Sequence, residues 1–195
     1  MLIRASCVLC GCSGVVVCDG CEAGLAPAPS LVLPPGLDAC VAVFDYRDAR
    51  ALVTSLKNGD RRDLVPWLVD RMVARVVAPP AEAAVTWAPT GPQRRRARGF
   101  DQAELLARAL ARRWGLPCRP QLRRRAGPAQ AGRSAGERRA NPSFEPSGRS
   151  ARTVVVVDDV VTTGATLVAA ARALRRAGAQ EVLAVVGARS PGRAA

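Results

Sequence analysis

Apolar residues along this chain follow two rhythms. Nearly unbroken apolar runs come as short stretches: CVAVFDY at 40–46, AAVTWAP at 83–89, TVVVV at 153–157 and EVLAVVGA at 181–188. Each has the length of a strand buried on both faces, and Pro89 stops the second. Between these runs the period changes. Leu64, Leu68, Met72 and Val76 recur every four residues within 60–77, which predicts an amphipathic helix. Leu106, Leu110 and Trp114 share one face of a second helix, 102–115, with Gly115 as its stop. A third helix is expected from 165 to 177, ended by Gly178. Strands alternating with helices predict an α/β fold, a mostly parallel sheet with helices on both faces. No internal repeat is visible.

The flanks have a different character. Residues 1–26 form a Cys/Gly-rich cap, residues 27–36 contain several prolines and read as a linker, and 37–195 form the main domain. Residues 119–152 are rich in arginine, with Gly, Pro and Ser scattered through them and no period. A loop of that length inside a compact domain is expected to be functional or disordered. Five of the seven cysteines lie between Cys7 and Cys21. Cys7-x-x-Cys10 and Cys18-x-x-Cys21 make two knuckles, and four thiolates so paired suit a closed, structural, tetrahedral Zn2+ site. Twenty residues without a core would gain order mainly from that metal. Cys12 is a spare thiol that replaces Cys10 if the register differs by one knuckle. Cys40 and Cys118 read as small buried hydrophobes.

Clustered thiols of this kind point to a metal site in a reducing cytoplasm rather than to a disulfide framework. No apolar run reaches the roughly 20 residues of a membrane-spanning helix, and the start has no apolar stretch of signal-peptide length. A cytoplasmic chain without a membrane span is therefore expected. The net charge is +13, which points to an anionic partner. Against that stands a general arginine and alanine bias in composition. Lys57 is the single lysine of the chain, and a compact ammonium there would suit a phosphate contact.

The stretch TVVVVDDVVTTGATL, 153–167, carries the most chemistry. Two adjacent carboxylates, Asp158 and Asp159, end an apolar strand, where burial is costly unless something pairs with them. In an open α/β sheet, ligands sit beyond the carboxyl ends of the strands. Thr162, Thr163, Gly164, Ala165 and Thr166 then open the next helix, whose N–H groups and dipole favour a phosphate. Gly164 permits close backbone approach. Carboxylates repel phosphate but accept from the two hydroxyls of a ribose. A phosphate cradle beside a diol clamp describes a ribose 5-phosphate site. The competing reading is a plain strand-to-helix turn in which the aspartates cap the helix.

This stretch resembles the phosphoribosyl-diphosphate (PRPP) motif of type I phosphoribosyltransferases. LKNGD at 56–60, RARGFDQAELLA at 96–107 and RRRAGPAQAGRSAGERRANPSFE at 123–145 follow the order of the ComF family, the competence-associated and GntX-like homologues, as does a cysteine-rich N-terminus. Asp101 stands where that family more often has asparagine, and Asn58 where it often has an aromatic. The resemblance implies a type I phosphoribosyltransferase-like fold with an N-terminal zinc ribbon. It places the diphosphate loop after the strand at 83–88, with Arg96, Arg98 and Gly99 leading into the next helix, since guanidinium groups bind diphosphate through paired donors. It also makes 123–139 a mobile loop closing over PRPP, with Arg125, Gln130 and Arg138 as its functional positions.

Three functions follow from that resemblance. One is Mg2+-dependent transfer of a phosphoribosyl group from PRPP to an acceptor, with Asp158 and Asp159 as the catalytic pair. A second is a non-catalytic DNA-uptake module that binds single-stranded DNA or the competence machinery, although aromatics are only 4% of the chain and stacking platforms are correspondingly few. The third is a PRPP-sensing regulator on the same site.

Overall fold

The computed structural model describes residues 5–30, 32–58, 61–125 and 142–190. Its centre is a four-stranded sheet in the order β1-β6-β5-β2, every neighbouring pair parallel. The strands are β1 (Ala39–Asp45), β2 (Ala84–Trp87), β5 (Thr153–Val161) and β6 (Glu181–Arg189). A separate antiparallel hairpin, β3 (Leu122–Arg124) and β4 (Phe144–Pro146), lies inside the arginine-rich segment. Among the described residues the helices are α1 (Asp19–Ala23), α2 (Tyr46–Lys57), α3 (Leu64–Arg75), α4 (Pro92–Arg98), α5 (Gln102–Trp114) and α6 (Ala165–Arg176).

Alternation along β5 divides the core in two. Val155 and Val157 face a layer built by α3 and α5, in which Leu68, Met72, Leu106 and Leu110 are buried. Val154 and Val156 face α6 and the hairpin, where Leu167, Leu174 and Phe144 close the second layer. The valine runs are thus buried on both sides, as a parallel sheet requires. Each such side chain contributes about 1.5–3 kcal/mol by leaving water.

Several boundaries move from the sequence expectation. The first strand stops at Asp45, because the Asp45 carboxylate accepts from the backbone N–H of Arg47 at 2.8 Å and caps a helix the periodic pattern had not supplied, α2. The helix expected over 60–77 is the shorter α3, with Val76 already extended. The arginines at 96 and 98 stand on a short helix rather than in an extended loop. Pro92 starts α4, and Gly99, at φ 75, turns the chain out of it. Most consequential, β5 does not end before the aspartates. Pairing with β6 continues through Asp158–Val186, Val160–Ala188 and Val161–Arg189, so the carboxylates lie within the strand.

The stretch expected to be a linker is docked on the sheet at its start, whereas Val32 and Leu33 within it are exposed. Ala28 donates its N–H to the Val43 carbonyl at 3.0 Å and Asp45 donates to the Ala26 carbonyl at 2.9 Å, which lays the chain antiparallel along the outer side of β1. On the opposite border, Val85 of β2 donates to the Pro117 carbonyl and accepts from the Arg119 N–H at 3.0 Å. Val17 and Leu25 of the cap belong to the α3 and α5 core layer. Among the described residues no helix is long and apolar enough to cross a membrane.

Candidate functional site

The carboxyl ends of all four parallel strands open onto one cleft of about 340 Å³. Tyr46 follows β1 there, Thr90 follows β2, Asp158 and Asp159 lie near the end of β5, and Ser190 follows β6. This is where an open α/β sheet leaves room for a ligand. A second cleft of about 290 Å³ adjoins it around residues 162–167 and Pro142, and Asp158, Val160, Thr162 and Thr166 line both.

The two acids have different surroundings. The Asp159 carboxylate is 3.3 Å from Lys57 Nζ, at the end of α2. Asp158 accepts from the Asp159 backbone N–H at 2.8 Å. Burial, and then the neighbouring Asp159 charge, push the Asp158 carboxyl well above the ordinary carboxylate range, against the pull of Lys57. Two adjacent carboxylates with one ammonium leave this end of β5 in need of further donors or positive charge. Lys57, expected as a phosphate contact, lines the cleft, and its observed partner is a carboxylate.

Beyond the acids the chain turns at Gly164, whose φ of 77 is a left-handed conformation, and enters the 12-residue α6. A Cβ at Gly164 would meet Pro34 Cγ at 3.0 Å, so close packing as well as conformation selects glycine. Having no side chain, this residue gives α6 no side-chain cap. Thr163 Oγ1 accepts from the Ala165 N–H at 3.4 Å. Thr162 through Thr166 all line the second cleft, so the tract read from sequence as a cradle surrounds a concavity at a helix N-terminus.

The opposite wall is cationic. Arg94 and Arg98, one turn apart on α4, line the main cleft with Arg124 of β3. Arg124 Nη1 donates to the Pro89 carbonyl at 3.4 Å and its guanidinium lies 5.7 Å from the Phe144 ring centre. Its pKa is lowered by burial and by the Arg94 charge. Arg96 is exposed, and neither it nor Gly99 lines the cleft. Arg125 is held at the hairpin by Glu145 at 2.9 Å, outside the cleft. Gln130 and Arg138 lie outside the described residues.

Asp101, the acid in an asparagine position, has a structural task. It accepts from the Ala103 N–H at 3.1 Å, capping α5, and from the Thr90 N–H at 2.7 Å, pinning the turn after β2. Burial pushes its pKa above the usual range, against these bonds and a contact from Thr90 Oγ1 at 3.3 Å. Sequence reading missed Arg94, Arg124 and Gln102 in the cleft wall. PQRRRAR between Gly91 and Gly99 carried a signal for Arg94, since a Pro-started helix puts it on one face with Arg98. Nothing marked Arg124 among so many arginines.

In the N-terminal cap, the Sγ atoms of Cys7, Cys10, Cys18 and Cys21 lie within 4.8 Å of one another, with Cys10 and Cys18 at 3.6 Å. Four sulfurs at the ordinary Zn–S distance stand about 3.8 Å apart on a tetrahedron, so the donor set fits Zn2+. The Cys18 N–H donates to Cys7 Sγ at 3.5 Å, a bond a thiolate accepts well. Cys12 is not in the group. Glu22 of α1 anchors this cap on α3 through an ion pair with Arg71 and a 3.3 Å bond from Trp67 Nε1.

Residues 101–194 match the family model of the phosphoribosyl transferase domain. The match is just under half of the chain and runs from the start of α5 through β6, taking in both aspartates and the TTGAT tract. No curated protein matches the sequence. Among solved structures the chain is similar to a purine phosphoribosyltransferase from Pyrococcus horikoshii Ot3, at 16% identity, covering 80% of this chain and 87% of that one, with a TM-score of 0.32.

Proposed function

We propose that this protein binds PRPP and acts as a phosphoribosyltransferase of the ComF type. The observation that carries the reading is the acid pair on β5, set between a glycine-opened helix N-terminus and a wall of arginines. Asp158 and Asp159 accept hydrogen bonds from the ribose hydroxyls. Thr162, Thr163, Gly164, Ala165 and Thr166 hold the 5-phosphate. Arg94, Arg98 and Arg124 hold the diphosphate, replacing Arg96 and Gly99 in the role expected for that loop. Arg125, Gln130 and Arg138 remain the proposed positions of the closing segment.

Mg2+ accompanying the diphosphate suits this donor set. A cation beside Asp158 would restore the charged form that burial opposes. Asp158 and the diphosphate oxygens would hold it, and when bound it neutralises charge on the leaving group. In the transfer, the bond from C1 to diphosphate oxygen breaks and a bond from C1 to the acceptor nucleophile forms. The arginines stabilise the charge that gathers on the departing diphosphate. The chain has no histidine, so no imidazole takes the acceptor's proton. The N-terminal cap is a structural zinc ribbon that belongs to the same folded unit, as its shared core layer supports.

Calorimetric titration with PRPP and Mg2+, followed by a diphosphate-release assay across nucleobase acceptors, tests this. Binding with release is expected. Binding without release would leave a PRPP-sensing regulator, and salt-sensitive binding of single-stranded DNA with no PRPP binding would replace the reading by a DNA-uptake module.

A further inference from the structure

Gln102 is the first residue of α5 and is 1% exposed. Neither its side-chain Oε1 nor its Nε2 has a hydrogen-bond partner. Burying a primary amide with both ends unpaired is costly, and folded proteins ordinarily satisfy such groups. The same residue lines the main cleft, as Arg98, Arg124 and Asp158 do, and is absent from the wall of the second cleft at the helix N-terminus. Its neighbour Asp101 explains why the position cannot simply swing away. With Asp101 capping α5 and holding Thr90, the backbone at Gln102 is fixed at the base of the cationic wall.

We propose that Gln102 is a specificity-determining residue for the diphosphate arm of the ligand, satisfied only when that ligand is bound. The proposal rests on the PRPP reading above. In PRPP the C1 diphosphate, an array of acceptors, sits beside the ribose 2-hydroxyl, a donor. The amide offers Nε2–H to a diphosphate oxygen, while the ribose hydroxyl protons go to Asp158 and Asp159. A neutral donor also adds diphosphate contacts to a wall where Arg124 and Arg94 already oppose each other's charge. The unpaired amide is then a cost carried by the free protein and removed by the ligand.

Gln102→Leu keeps the volume and removes both polar ends. Thermal melts of the free protein, and calorimetric titrations with Mg-PRPP, Mg-diphosphate and ribose 5-phosphate, read the consequence. The variant is expected to melt at or above the wild-type temperature. Its affinity for Mg-PRPP and Mg-diphosphate should fall by about tenfold to a hundredfold, the loss of one charge-assisted hydrogen bond. Ribose 5-phosphate affinity should change by no more than about threefold. Gln102→Asn, whose amide is one carbon short, should melt normally and also lose diphosphate affinity. Unchanged diphosphate affinity in the leucine variant would overturn the proposal. So would a lowered melting temperature with equal losses for all three ligands, since that marks a purely structural residue. If the wild-type protein binds none of the three, the PRPP reading itself fails, and this inference with it.

Discussion

The cysteine cap and the tip of β5 each gather groups that repel one another when charged, and they resolve the conflict in opposite ways. In the cap, four thiols converge to within 4.8 Å and face each other. A single ion at their centre would satisfy all of them and leave no coordination position open. Near the end of β5, Asp159 pairs with the Lys57 ammonium at 3.3 Å, Asp158 stands next to it in the chain, and both open onto a cleft. The first arrangement is complete once a metal is in place. The second leaves two carboxylates beside one ammonium in the folded chain, and the proposed ligand reading rests on that shortfall.

The largest expected effect breaks the open site. Asp158→Asn with Asp159→Asn removes two charge-assisted acceptors, worth about 1.5–3 kcal/mol each, so ribose 5-phosphate and PRPP affinity should fall by roughly a hundredfold to ten-thousandfold. The melting temperature should hold within a few degrees, because the amides end the repulsion that Lys57 only partly offsets. Calorimetry beside a thermal melt checks both. If the acids serve only as caps, affinity stays and melting moves.

Next comes the closed site. Purified protein should carry about one zinc per chain, and Cys18→Ser should lose it, with about 4 kcal/mol or more of stability at the cap, as losing a structural metal does. Cys40→Ser should retain the metal. Metal analysis that finds no zinc in wild-type protein prepared without chelator would remove the basis of the comparison.

A smaller effect separates the sites by pH. The Asp158 pKa is raised in the folded state, so between the unfolded value of about 4 and that raised value the native protein binds more protons than the unfolded chain. Stability contributed by this group is therefore present at low pH and lost as pH rises through its folded pKa. Asp158→Asn should flatten that fall in melting temperature, while Cys18→Ser should leave its slope in place. Smallest is the docking contact of the cap. Glu22→Gln weakens the ion pair with Arg71 on the surface of α3 and should cost about 1 kcal/mol or less, with zinc content unchanged.

The contrast also accounts for what could be read in advance. Thiol spacing is a local property, so the four thiols that converge were legible, and geometry leaves Cys12 out of the group. The acids and the TTGAT tract were legible for the same reason. Their opposing charges come from α2, α4 and β3, which are far apart in the chain, and that is where reading ran out. Lys57 was noticed because it is unique, and its carboxylate partner was not foreseen. Arg124 had no mark to separate it from its neighbours. The missing α2 had a physical cause as well. Asp45 is both the last residue of a strand and a helix cap, so an apolar run into Asp-Tyr looked like one element. β5 outran its expected end because ladder bonds to β6 do not depend on side-chain polarity.

The docked segment beside β1 has one more consequence. Open sheets with bare outer strands invite strand addition from other molecules, the route by which partly folded chains template one another into aggregates. Here the 26–28 stretch occupies the backbone groups of Val43 and Asp45, and 117–119 occupies those of Val85 on the other border. At those points the main sheet cannot be extended by a foreign strand without first displacing the chain's own. Resistance to aggregation should accordingly depend less on the central valines than on keeping those two short stretches in place.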